Sequence, residues 1–317
     1  VETTPAPETT PAPETTAAVE TTPAVYHAGS RAVQERVGVR ESADHVGRSV
    51  GRHIKPVAAA FLGLQPLLVL GAAAPDTGRV WASPLTGTPG FVRATGPRQL
   101  SVTGGLRPAD PLTSALATDG TRVGTLALDP RTRRRMRLNG RLRPTPRGFA
   151  VEADQVFANC PKYLQRRETY ETVAGRRPGT TRRGHRLTDE QRAFVEAADT
   201  LFIATVHPGG ADAGHRGGHP GFVRTTSATG LSWRDYPGNA MFLTLGNLVT
   251  DPRAGLLLLD WTTGRSLQLT GEARTEFTAD GERRVHFTVT EAEDTPDAVP
   301  LRWSAPAYSP ANPHPPG

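Results

Sequence analysis

Apolar positions along this chain fall into short runs broken by glycine, proline and aspartate turns, a pattern of strands rather than long helices. Residues 67–73 form an apolar run of the buried-strand type, the turn Asp76-Thr77-Gly78 follows, and strands are expected over 79–86, 90–95 and 99–103. Further strands are expected over 122–129, 136–142 and 149–157, with period-two alternation at Met136 and Leu138 and at Val151 and Ala153. Short helices are expected from Ser42 to about Arg52, over 56–65 and over 110–116. The second half repeats the plan. Thr188-Asp189-Glu190-Gln191 is a capping box opening a helix that turns Phe194, Val195 and Ala198 inward. Strands are expected over 201–206, 221–226, 231–234, 255–260, 266–273 and 284–290, and the glycine-rich stretch 209–218 reads as a hairpin loop. Many short strands with few helices predict a mainly β protein with a small barrel in each half, because closure removes sheet edges.

The two halves also share a register. Pro89-Gly90-Phe91-Val92-Arg93 recurs as Pro220-Gly221-Phe222-Val223-Arg224, 131 residues on. The same offset carries Leu100-Ser101 onto Leu231-Ser232, Arg122 onto Arg253, Gly124 onto Gly255, Asp129 onto Asp260, and Leu138 and Gly140 onto Leu269 and Gly271. A period of domain size implies a duplicated, fused domain, a homodimer turned into one polypeptide. The expected organisation is a Thr/Pro/Glu tail over 1–28, a first barrel over 29–172, a linker over 173–186, a second barrel over 187–308 and a short tail over 309–317.

Composition narrows the chemistry. The tail is built from units headed by Glu2, Glu8, Glu14 and Glu20, which have little to bury. The net charge is +6, yet only Lys55 and Lys162 are lysines and the arginines are scattered, which argues against nucleic-acid binding. The run 131–137 reads as a solvated hairpin, since its counterpart Thr262-Thr263-Gly264-Arg265 lacks the charge. The apolar stretch 57–74 is interrupted by Gln65-Pro66 and is short for a membrane crossing. With no secretory pattern and a single cysteine, Cys160, a cytoplasmic protein is expected. His207, His215 and His219 lack companion ligands at a metal spacing, so no metal is expected. No Gly-x-Ser-x-Gly elbow or phosphate-loop lysine motif is present.

Three stretches of the second half carry the remaining signal: Gly214-His215-Arg216-Gly217-Gly218, Asp235-Tyr236-Pro237-Gly238-Asn239, and Leu245-Gly246-Asn247-Leu248 running on to Asp251-Pro252-Arg253. Together they resemble the pyridoxamine 5'-phosphate oxidase-related, FMN-binding split-barrel family, over roughly residues 187–303. The resemblance implies two tandem split barrels forming a pseudo-dimer with a flavin between them. It implies an FMN-dependent oxidoreductase acting on a small molecule with an electron donor or acceptor, as a monomeric pseudo-dimer or a homodimer. A flavin phosphate needs cations and free amides, which Arg216, Gly217 and Arg224 offer. Ser232, Trp233, Asp235, Asn239 and Asn247 are the candidates for the ring and its surroundings. Phe157 to Tyr163 resembles a Cys-x-Lys signature of the family, which adds Lys162 as a further cofactor contact. Arg216 aligns with Leu85 and Asn239 with Pro108, so one cofactor per chain is expected, the first barrel serving as wall and support. A haem or deazaflavin site, with His215 or His219 as ligand, and a non-enzymatic scaffold are the alternatives. The catalytic residues are not named by the pattern.

Overall fold

The structure, a computed structural model, describes residues 25–313; the Glu-headed repeats lie outside the described residues. The chain opens with α1 (Ala28–Arg36), α2 (Arg40–Gly47) and α3 (Pro56–Gly63). The first half continues through β1 (Leu67–Ala73), β2 (Val80–Thr86), β3 (Val92–Gly96), β4 (Gln99–Thr103), α4 (Thr113–Ala117), β5 (Arg122–Asp129), β6 (Arg134–Thr145) and β7 (Gly148–Ala158). After β8 (Tyr170–Thr172) and β9 (Arg182–Gly184) come α5 (Asp189–Ala197), β10 (Thr200–His207), β11 (Gly210–Gly217), β12 (Val223–Thr225) and β13 (Gly230–Arg234). The chain ends through α6 (Leu243–Thr250), β14 (Arg253–Leu259), β15 (Ser266–Phe277), β16 (Arg283–Thr295) and β17 (Leu301–Trp303).

The fold is mainly β, in two large sheets with one topology and a two-stranded sheet of β17 and β8. The first sheet runs β2-β1-β5-β6-β7-β4-β3 and the second β11-β10-β14-β15-β16-β13-β12. Neither path closes by hydrogen bonds among the described residues, which is compatible with a split barrel. Each sheet carries a β-bulge at an equivalent place, Asn139/Gly140 in the first and Thr270/Gly271 in the second, again 131 residues apart. Each sheet wraps its own core, one containing Leu68, Leu100, Leu138 and Phe149, the other Leu231, Trp233, Leu269 and Phe287.

A third apolar cluster joins the halves, with Val69, Val80, Leu126 and Leu128 from one side and Phe202, Ala213, Leu257 and Trp261 from the other. The contact is reciprocal. A Cβ on Gly124 of β5 would stand 2.4 Å from the Ala213 amide of β11, and one on its counterpart Gly255 of β14 would stand 2.5 Å from Cα of Trp81 on β2. Only glycine lets the strands cross this closely, and the same crossing made twice with the halves exchanged defines a two-fold interface. The two barrels are a pseudo-dimer within one chain.

Several elements depart from the pattern reading. The stretch 209–218 is no loop: Gly210–Gly217 is strand β11, paired to β10 along its whole length. Residues 182–184, read as linker, pair with β16 as β9. Two stretches read as tail are packed: Tyr26 is buried and donates to the Ala43 carbonyl, and Ser309 and Asn312 are held by Gln165. No helix among the described residues is long and apolar enough to cross a membrane.

Candidate functional site

The pseudo-dimer interface contains a cleft of about 90 Å³ built by both halves. β6 supplies Arg135 and Arg137, and the chain beyond β7 supplies Asn159, Cys160, Lys162 and Tyr163. The second half supplies His215, Arg216 and Gly217 from the end of β11 and the segment from Asp235 to Leu245. The run 131–137 is therefore not a solvated hairpin. Met136 and Leu138 point into the barrel core, so by strand alternation Arg135, Arg137 and Asn139 point the other way, into the interface. Tyr163 closes one side, donating from its hydroxyl to the Pro237 carbonyl at 2.8 Å, with its ring 5.1 Å from that of Tyr236. Gly217 is required there, since a Cβ would lie 2.0 Å from the Tyr163 carbonyl oxygen.

The cleft is strongly cationic. Arg135, Arg137, Lys162, Arg216 and Arg234 line it and Asp235 is the one carboxylate among the lining residues. Three of these cations are matched: Arg137 donates to Asp212 at 2.9 Å, Arg216 Nε to Asp235 at 2.9 Å, with Arg283 also on Asp235, and Arg234 pairs with Glu282. Arg135 has no carboxylate partner among the described residues. It donates to the Cys160 carbonyl at 2.7 Å and to His215 Nδ1 at 2.5 Å, and burial, reinforced by Arg137 and Arg216, pushes its pKa down to about 9, still charged at neutral pH. An arginine offers only donors, so His215 accepts on Nδ1 and carries its proton on Nε2. Burial and the same three arginines hold His215 well below the usual histidine range, hence neutral. Buried Nε atoms of Arg135 and Arg137 and Oδ1 of Asn159 have no partner among the described residues. Unspent cationic donors around a small cavity are what a polyoxyanion needs.

The expected residues separate into two groups. Arg216, Gly217, Asp235, Asn239 and Lys162 line the cleft together. Asp235 orients Arg216, and Asn239 accepts from the Met241 amide and shapes the loop. The Gly218 amide is not free, because it donates to the Asp199 carbonyl. The others lie elsewhere. Arg224 is exposed on β12, Ser232 is buried within the sheet, and Trp233 sits in the barrel core with 1% exposure. Asn247 is buried beneath a second cavity, accepting from His27 Nε2 at 2.8 Å and donating to Thr205. Arg135, Arg137, Asp212 and His215 are the residues that the pattern reading did not assign to a flavin.

The position related by pseudo-symmetry is filled. There Ser266 and Gln268 stand where Arg135 and Arg137 stand, Leu85 where Arg216 stands, and Arg107 where Gly238 stands. The Arg107 side chain occupies the space, donating to Glu293 at 2.9 Å and to Gln268 at 3.0 Å. Asp110, its carboxyl raised by burial, lies 3.6 Å from the same guanidinium and accepts from Ser83. The equivalent of a cationic cleft has become an acidic one plugged by the chain's own arginine.

The two β sheets, each with its own core, meet at an interface that holds one cationic cleft. Residues 187–301 match the family model described as pyridoxamine 5'-phosphate oxidase. Among solved structures, the chain is similar to HupZ of Group A Streptococcus at 13% identity and a TM-score of 0.27, covering 32% of this chain and 89% of that one. It is also similar to a putative pyridoxamine 5'-phosphate oxidase of Listeria innocua, at 11% identity and 0.27, covering 33% and 95%. A third is a FAD-binding protein of Mesorhizobium loti, at 9% and 0.28, covering 37% and 99%. No curated protein matches the chain.

Proposed function

We propose that the cleft holds the phosphate of FMN and that the protein is a flavin-dependent oxidoreductase of the pyridoxamine 5'-phosphate oxidase-like type, acting on a small molecule. The observation that carries this reading is Arg135, a buried cation with no carboxylate partner among the described residues, flanked by Arg137 and Arg216. A phosphate monoester brings close to two negative charges at neutral pH and accepts several hydrogen bonds at once. Such a terminal group suits a small cleft of about 90 Å³, whereas FAD would add a second phosphate and an adenosine. The His215 Nε2 proton adds a neutral donor, and Asp235 and Asp212 fix the directions of Arg216 and Arg137. The aromatic residues Tyr163, Phe222, Tyr236 and Phe242 at the cleft offer the apolar faces that a flavin ring requires. FMN, when bound, supplies the hydride and electron transfer, and the protein supplies position and electrostatics.

Haem fits these residues less well. His215 gives Nδ1 to Arg135 and keeps its Nε2 protonated, which leaves no lone pair for iron. The shared topology, the matching bulges and the offset of 131 residues support descent of both halves from one domain, and the plugged counterpart site supports one flavin per chain. The single thiol, Cys160, suits a reducing compartment. The absorption spectrum of the purified protein, followed by FMN titration, tests the reading. It expects flavin bands and one equivalent per chain; two equivalents overturn the asymmetry and none overturns the cofactor.

A further inference from the structure

A second cavity, of about 290 Å³, lies beyond the Arg137–Asp212 pair and has no part in the reading above. The His27 and His207 rings on its wall stack at 4.2 Å and 10°, and backbone at Gly51, Gly140, Gly209 and Gly210 and the apolar side chains Val25, Val50 and Leu243 also line it. At its rim one carboxylate is shared by two guanidiniums: Asp154 lies 4.0 Å from Arg52 and 3.7 Å from Arg141. Asp212 in the floor is neutralised by Arg137. Both imidazoles are neutral, His27 lowered by burial and His207 pushed down to about 4 by burial and by His27 and Arg122. The wall and rim therefore carry one net positive charge.

Unspent hydrogen-bonding groups surround the same space. His207 Nδ1 accepts from the Gly209 amide at 3.1 Å, so the ring's proton sits on Nε2 without a partner among the described residues. Asn139 Oδ1 and Arg52 Nε are buried and unpartnered among the described residues. The contrast with the first cleft is in charge: that one gathers several cations and suits a dianion, whereas this one leaves a single positive charge beside the His27–His207 stack.

We infer that the second cavity is a binding site for a flat organic monocarboxylate of about one ring's size, its carboxylate taken by Arg52 and Arg141 and its ring lying between the glycine backbone and the His27–His207 stack. The inference does not depend on the flavin. Calorimetric titration of the full chain with benzoate, and with benzamide as its uncharged isostere, is the test. One saturable benzoate site is expected, with benzamide bound at least tenfold more weakly. Arg52→Gln combined with Arg141→Gln should weaken benzoate at least tenfold and leave the FMN equivalence point unchanged, while Arg135→Met should leave benzoate binding unchanged. Equal affinity for benzoate and benzamide, absence of saturation, loss of benzoate binding in Arg135→Met, or competitive displacement of benzoate by FMN would each overturn the inference, the last by showing that the flavin fills this cavity. The benzoate and benzamide comparison needs no variant, so a poorly folding double variant does not blunt it.

Discussion

Replacing Arg135 with methionine should make the ligand-free protein more stable and the flavin complex weaker. Arg135 is held from the ordinary arginine range down to about 9 by burial and by Arg137 and Arg216. That displacement corresponds to about 5 kcal/mol by which folding disfavours the charged side chain. Methionine removes this cost, but it leaves the Cys160 carbonyl and His215 Nδ1 without their donor, at about 1–2 kcal/mol each. The expected net gain is about 1–3 kcal/mol, a rise of a few degrees in Tm. The sign carries through to pH. Below about pH 9 both folded and unfolded arginine are charged and the penalty is complete; as pH rises further the folded state loses the proton first, so the advantage of Arg135→Met shrinks. FMN affinity should fall about ten- to a hundredfold, the worth of a charge-assisted hydrogen bond. Thermal and denaturant unfolding at pH 7 and pH 10.5, with fluorescence titration of FMN, measure all of this. A variant destabilised by more than about 1 kcal/mol that binds FMN normally would show that Arg135 is a structural arginine.

Three further outcomes are expected. Arg107→Ala should cost about 1–3 kcal/mol in denaturant unfolding by leaving buried Asp110 without its cation while Glu293 keeps Arg183 at 2.8 Å, and the FMN equivalence point should stay at one per chain because no cationic cradle is uncovered. Gly255→Val should destabilise the protein by about 3 kcal/mol, because its Cβ would stand 2.5 Å from Cα of Trp81 and force the halves apart; an unchanged Tm would mean that the interface is looser than the crossing implies. His207, pushed down to about 4, binds its proton less readily in the folded state, so stability should be complete above pH 6.5 and fall by about 2 kcal/mol as pH drops towards 4. His207→Gln should flatten that acid limb.

Much of the fold was legible because strands announce themselves by composition. Residues 67–73, 99–103 and 122–129 are strands at the expected bounds, and the Thr188 and Gln191 capping box forms as read. β11 was not legible, because its glycines, which permit close passage of Arg137 and of the Tyr163 backbone, are the residues that usually mark a loop. α6 was hidden for a related reason: it starts from Phe242 at φ 54° with no capping side chain. The site was half legible. Arg216, Asp235, Asn239 and Lys162 converge, but Arg135 and Arg137 were masked by the arginines around them. Their signal was present in the alternation with Met136 and Leu138, which sets Arg135, Arg137 and Asn139 on the face away from the barrel core. Nothing local to β6 says that this face meets β11, since that pairing is a tertiary contact between the halves.

The central claim is that the cationic interface cleft recognises a phosphate monoester, and the direct measurement compares FMN with riboflavin, which has the same ring and lacks the phosphate. Fluorescence quenching of each flavin by the ligand-free full chain should give one FMN site and a riboflavin affinity at least a hundredfold weaker, about 3 kcal/mol, with the difference shrinking in Arg135→Met. Equal affinity for FMN and riboflavin would contradict the assignment of the arginine cluster to the phosphate.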